Sequence, residues 1–169
     1  STEATLGALR IQQGNLQAAA ALLQPALETL RAKGADPLRI ARVQSDLAQV
    51  RFWNKEVAAA EAEERAVYET LARVLGPEHI ETALHLRNLA VILDDLGRLD
   101  EAEQAYRRSQ AQLAASLGAD HPHLGQSYLS LAVLLDRRGR FEEAQGLFER
   151  ALALRRKTLG DRHLRTGQT

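Results

Sequence analysis

The chain has 169 residues, of which 45% are hydrophobic and 26% are charged, so it is long and apolar enough to form an ordered domain with a core. Its 22 basic and 22 acidic residues balance one another, which argues against the positively charged surface that binds nucleic acids or anionic lipids. Cysteine is absent, which excludes disulfide bonds and thiolate chemistry, and no apolar run is long enough to cross a membrane. By default we therefore expect a cytoplasmic protein that binds neither nucleic acid nor membrane.

An internal repeat organises the sequence. Several dipeptides recur with residue numbers that differ by 42, namely Leu75-Gly76 with Leu117-Gly118 and Leu159-Gly160, Leu89-Ala90 with Leu131-Ala132, Gly97-Arg98 with Gly139-Arg140, and Glu101-Ala102 with Glu143-Ala144. The same step continues towards the amino terminus. We predict a single array of four repeats, which span about 2–34, 37–76, 79–118 and 121–160.

The first two repeats are less regular than the later ones. The step from Ala19 to Ala60 is one position shorter than the step that separates the later landmarks. In the second repeat Lys55 stands at the position where the later repeats have a turn glycine. Because asparagine tolerates the left-handed conformation better than most residues, we expect Asn54 to make this turn instead.

Each repeat contains two stretches with the apolar spacing of an amphipathic helix, which in the third repeat are 81–96 and 100–117. Their inward faces are formed by Leu86, Leu89, Ala90 and Leu93 in the first stretch and by Ala102, Tyr106 and Ser109 in the second. Neither helix can bury its face alone, so neighbouring hairpins must stack. We predict an all-α fold of about eight helices, paired into four helical hairpins and wound into a right-handed superhelix.

Glycines mark the ends of these helices, because glycine readily adopts the left-handed conformation that ends a helix. Gly97 and Gly139 are expected to end the first helix of the third and fourth repeats. The glycine of each Leu-Gly dipeptide is expected to end the second helix.

Three histidines, His79, His121 and His163, follow one another at the same step as the dipeptides, so each lies at the same junction between repeats. Junctions one repeat apart are too distant to share a metal ion, whose ligands lie at about 2 Å. Only His121 and His123 could contact one ion, and two ligands without cysteine make a weak site. We interpret these histidines as residues that hold the start of the next helix, and we predict no metal and no cofactor.

Catalytic motifs are missing. The sequence contains no Gly-x-Ser-x-Gly, Gly-x-Gly-x-x-Gly or Gly-x-x-x-x-Gly-Lys motif. The adjacent pairs Asp94-Asp95 and Glu142-Glu143 point in different directions on a helix, which is poor geometry for acid and base catalysis. We predict that the chain is not an enzyme, and a metal-dependent hydrolase remains a remote alternative without a supporting group of residues.

The order of landmarks in the third repeat resembles the tetratricopeptide motif, and these landmarks are Leu89-Ala90, Leu93, Gly97, Ala102 and Tyr106. The length of the step between repeats and the Leu-Gly junction followed by histidine are similar to the repeats of the kinesin light chain subfamily and its bacterial relatives. The resemblance is strongest from residue 75 to residue 160. It implies a scaffold that binds a peptide or a partner protein along a concave surface lined by the first helix of each repeat.

The resemblance also implies which residues line that surface, and these are Arg42, Asp46, Gln49 and Trp53 in the second repeat, Arg87, Asn88, Val91 and Asp95 in the third, and Ser130, Val133 and Arg137 in the fourth. Asn88 occupies the position of an asparagine that holds a ligand's backbone in the family, and an amide suits this task because it both donates and accepts hydrogen bonds. Trp53 would be either an aromatic anchor for a ligand or a residue packed between repeats. The charged residues would either pair with a ligand of mixed sign or form an ordinary solvated helix face.

Other features bear on the wider protein. The chain starts within a repeat and contains no methionine, so we expect a fragment of a longer protein, in which it could be a regulatory module of a signalling protein. Arginine greatly outnumbers lysine, a bias typical of GC-rich bacterial coding. An alternative function is self-association or docking onto another domain through the terminal repeats, because an array without polar capping repeats exposes apolar surface.

Overall fold

The computed structural model describes residues 4, 5, 7, 15–119 and 121–159. Seven α-helices account for the regular structure of these residues, and they are α1 (Leu16–Ala32), α2 (Pro37–Trp53), α3 (Val57–Val74), α4 (Ile80–Asp95), α5 (Leu99–Leu117), α6 (Pro122–Arg137) and α7 (Phe141–Leu159). The prediction of an all-α fold built from helical hairpins is confirmed. Most of the predicted first helix of the first repeat, together with Gly160 and His163, lies outside the described residues.

The described helices group into two compact parts. The amino-terminal part contains α1, α2 and α3 together with residues 95–97, and the carboxy-terminal part contains the rest of α4 with α5, α6 and α7. In the amino-terminal part α2 packs against both α1 and α3, and in the carboxy-terminal part α6 packs against both α5 and α7. Each part therefore has a first helix of a repeat between two second helices.

The core of the amino-terminal part is aliphatic. Its main cluster contains Leu23 and Leu27 of α1 and Leu47 and Val50 of α2, all of which are almost fully buried. Each such side chain contributes about 1.5–3 kcal/mol when it leaves water. Asp36 starts α2 by accepting a hydrogen bond from the backbone N–H of Arg39 at 3.1 Å, which satisfies one of the free donors at the helix start.

Four helices contribute to the core of the carboxy-terminal part. Ala83 of α4, Leu113 of α5, Leu124 of α6 and Leu154 of α7 form one buried cluster. The hydroxyl of Ser109 donates to the carbonyl of Ala83 at 2.7 Å and so ties α5 to α4. The residues predicted to face inward in the third repeat are all buried, as expected, and these are Leu86, Leu89, Ala90, Leu93, Ala102, Tyr106 and Ser109.

The turn between the two helices of a hairpin requires a left-handed residue at one position. Gly97 and Gly139 both have a φ of 74° there, as predicted. In the second repeat the prediction was wrong, because Asn54 has a φ of −75° and Lys55 itself is left-handed, with a φ of 66°.

The hydrogen bonds of the turn explain this correction. In the second repeat the N–H of Glu56 donates to the carbonyl of Arg51 at 2.9 Å, and in the fourth the N–H of Arg140 donates in the same way to Leu135 at 2.9 Å. This six-residue closure places the left-handed conformation on the residue before the donor, whatever its side chain. Lys55 therefore adopts it despite the steric penalty on a residue with a Cβ.

We expect Lys55→Gly to stabilise the protein by about 0.5–1 kcal/mol, because relief of the left-handed strain outweighs the larger entropy that glycine gives the unfolded chain. Urea denaturation measures this change. Gly139→Ala is the matched control and should destabilise by a similar amount. A Lys55→Gly variant that is less stable than the wild type would contradict the explanation of this turn.

Candidate functional site

The surface residues predicted on α2 are accessible with one exception. Arg42, Gln49 and Trp53 are exposed, and Asp46 is half-buried. Trp53 is the last residue of α2, and 46% of its surface remains exposed, so its ring can be reached by a partner.

Asp46 is a carboxylate with an unfavourable environment. Its burial raises the pKa of the carboxyl group, and the charge of Arg42, one helical turn earlier, offsets only part of this rise. Within the described residues no ion pair satisfies it. Asp46 is therefore a half-buried acid whose charge would be stabilised by a cation on a partner.

The residues predicted on α4 and α6, except Asp95, lie in the carboxy-terminal part. Arg87, Asn88 and Val91 of α4 are partly buried, as is Ser130 of α6, whereas Val133 is 44% exposed and Arg137 is exposed. We call the surface formed by Arg87, Asn88, Asp94, Ser130, Val133 and Arg137 the α4–α6 face. Asp95, the last residue of α4, is exposed and makes no ion pair with the part of the chain that the structure describes.

An ion pair links the two helices of the α4–α6 face, and it joins Arg137 of α6 to Asp94 of α4. The phenol of Tyr106 comes from α5 and lies beneath the face, near Ser130 and Asp94. Burial of Tyr106, followed by the negative charge of Asp94, raises the pKa of the phenol above its usual range, so it stays neutral.

Sequence reasoning assigned Tyr106 to packing alone and so missed that its phenol lies beneath this polar face. The available signal was the difference between repeats, because the equivalent residue in the next repeat is Phe148, which has no hydroxyl.

Arg87 and Asn88 retain hydrogen-bonding capacity. Burial lowers the pKa of the Arg87 guanidinium, and the neighbouring Tyr106 offsets part of this effect. Its hydrogen bond to Oδ1 of Asn88 is long, at 3.5 Å, and within the described ranges it has no ion pair. The α4–α6 face therefore presents guanidinium and amide N–H groups that can donate to a ligand.

A second polar cluster, which sequence reasoning also missed, is centred on Glu103 of α5. Its carboxylate accepts hydrogen bonds from Arg107 at 2.9 Å, from Arg138 at 2.9 Å and from Arg140 at 2.7 Å. Burial acts to raise the pKa of Glu103, but the hydrogen bonds from Arg140 and Arg107 outweigh it and hold the pKa below its usual value. These groups satisfy one another, so the cluster joins α5 to the α6–α7 turn and leaves little capacity for a ligand.

Ion pairs at the start of two second helices involve two of the recurring dipeptides. Nε and Nη2 of Arg98 donate to the two carboxylate oxygens of Glu101 at 2.7 Å and 2.6 Å. Arg140 and Glu143 repeat this two-bond pair, with both distances at 2.7 Å. The arginine of the Gly-Arg dipeptide and the glutamate of the Glu-Ala dipeptide thus pair at the start of α5 and of α7.

His79 and His121 have the structural role predicted for the junction histidines, and His163 lies outside the described residues. Nδ1 of His79 accepts the backbone N–H of Glu81 at 3.2 Å, and Nδ1 of His121 accepts that of His123 at 3.3 Å. Each histidine therefore caps the start of a first helix. Among the residues that the structure describes, no group of three or more His, Cys, Asp or Glu side chains could hold a metal ion.

The tetratricopeptide repeat family model matches residues 39–113 and 95–157, which together span more than half of the chain. The chain belongs to the tetratricopeptide repeat family. Members of this family are in general scaffolds without catalytic activity that bind other proteins or peptides. In the described part of this tetratricopeptide array, no helix is both long and apolar enough to cross a membrane.

Solved structures show the same fold. BtubC (BKLC) from P. vanneervenii is 23% identical, with a TM-score of 0.85 over 94% of this chain and 63% of that chain. The kinesin light chain TPR-like repeats of Podosopora anserina are 26% identical, with a TM-score of 0.79 over 95% of this chain and 76% of that one. Aspartyl phosphate phosphatase F from Bacillus subtilis is 15% identical, with a TM-score of 0.81 over 96% of this chain and 41% of its own.

The array thus spans 63% of the length of BtubC. No curated protein matches the sequence.

Glu103→Gln should destabilise the array by about 1–3 kcal/mol at pH 7, because three arginines lose their charged acceptor. The folded-state pKa of Glu103 lies below its unfolded value of 4.5. The contribution of its carboxylate to folding stability is therefore complete above pH 4.5 and is lost as the pH falls through the lower folded-state pKa. Urea denaturation at pH 7 and at acid pH measures both effects. Glu142→Gln, at an exposed position on α7, is the control and should leave stability unchanged, and an equal loss in both variants would argue against the cluster.

Asp46→Asn should stabilise the array by a few tenths of a kcal/mol at pH 7, because the amide removes a half-buried charge. Because the folded-state pKa of Asp46 is raised, its ionised carboxylate destabilises the folded state when the pH is above that pKa. This destabilisation is absent below the unfolded value of 3.8. Thermal melting of both proteins between pH 3 and pH 8 tests the effect. A loss of stability at pH 7 would show that a cation pairs with Asp46.

Proposed function

We propose that this array is a scaffold that recognises an extended peptide segment, or a partner protein through such a segment, by the exposed faces of its first helices. The observation that carries the proposal is the α4–α6 face, on which the Asp94–Arg137 ion pair links the two helices. A surface that is already ordered binds with a smaller loss of conformational entropy.

The chemistry of the α4–α6 face suits a peptide backbone. The Asn88 amide can donate to a peptide carbonyl and accept from a peptide N–H. Val133, which is 44% exposed, offers an apolar contact on the same face. Such a mixture of hydrogen-bonding groups with a small apolar surface is typical of sites that bind a main chain and select a few side chains.

The opposite side of the repeats is less suited to this role. On α5, Glu103 pairs with Arg107, Arg138 and Arg140, so a ligand there would have to break existing ion pairs. This difference supports the first helices rather than the second helices as the binding surface.

Trp53 supports a second contact, on α2. Exposed tryptophans often contribute a large share of binding energy, because a large rigid ring leaves water on binding. The half-buried carboxylate of Asp46 lies on the same helix and favours a basic group in the ligand. We infer that α2 binds a part of the partner that contains an apolar and a basic residue.

A random peptide library displayed on phage tests the proposal, with the array immobilised and the recovered peptides remeasured as purified ligands by calorimetry. For peptides that bind the α4–α6 face, Asn88→Ala should weaken binding about tenfold, since a backbone hydrogen-bond pair is lost. For peptides that bind α2, Trp53→Ala should weaken binding about thirtyfold.

Arg108→Ala changes an exposed residue of α5 and is the matched control, which should bind like the wild type. Recovered peptides whose affinity is unaffected by both Asn88→Ala and Trp53→Ala would contradict the proposed binding surface. A library from which no peptide is recovered would contradict peptide recognition itself.

A further inference from the structure

We draw no further inference here: the strongest candidate, the open apolar groove that Phe141, Phe148 and Leu152 line on α7, is an unpartnered helix face, and nothing in the described part of the chain shows what occupies it.

Discussion

Each helix of this array has one inward face, and that face is buried only when a hairpin closes and a helix of the next repeat packs on it. The contrast between Tyr106 and Phe148 illustrates this constraint. Tyr106, covered by α6, is 2% exposed, whereas Phe148, at the equivalent position on α7, lines an open groove. Stacking therefore supplies the burial that no single hairpin can provide, and it sets the positions of all the other groups.

Stacking also determines where binding groups can lie. The second helices are tied to the neighbouring repeat by ion pairs, of which Glu103 with Arg138 is the most connected example. In the third repeat the first helix is held from beneath by the hydroxyl of Ser109, and its outward face keeps polar groups that are not all satisfied. The surface of this first helix is thus ordered by the scaffold and still has hydrogen-bonding groups that a partner can use. Recognition of a partner requires both properties.

Much of the fold could be predicted from the constant period of the sequence, because a repeat places the same buried residues and turns at each step. The residues that line the inward faces and the left-handed Gly97 and Gly139 follow from that pattern. The second repeat was harder, because preference for a left-handed backbone favoured Asn54, whereas the hydrogen bonds that close the hairpin impose it on Lys55. At such a position the hydrogen bonds of the turn, rather than the conformational preference of the residue, determine the backbone conformation.

The candidate site was less predictable for a related reason. The period identifies which helices can line a surface, but the pairing of Arg137 with Asp94 joins residues 43 positions apart and depends on how closely α4 and α6 approach. The half-buried state of Arg87 and Asp46 likewise follows from packing around them rather than from their spacing. Contacts between repeats therefore decide the chemistry of a surface whose location the sequence already indicates.

Nuclear magnetic resonance titration of the isotopically labelled array with one recovered peptide tests most directly whether the first helices bind a peptide. We expect chemical-shift changes concentrated on the α4–α6 face, at Asn88, Ser130 and Val133, or at Trp53 and its neighbours on α2. Changes concentrated instead on α5 around Glu103, or on α7, would contradict it.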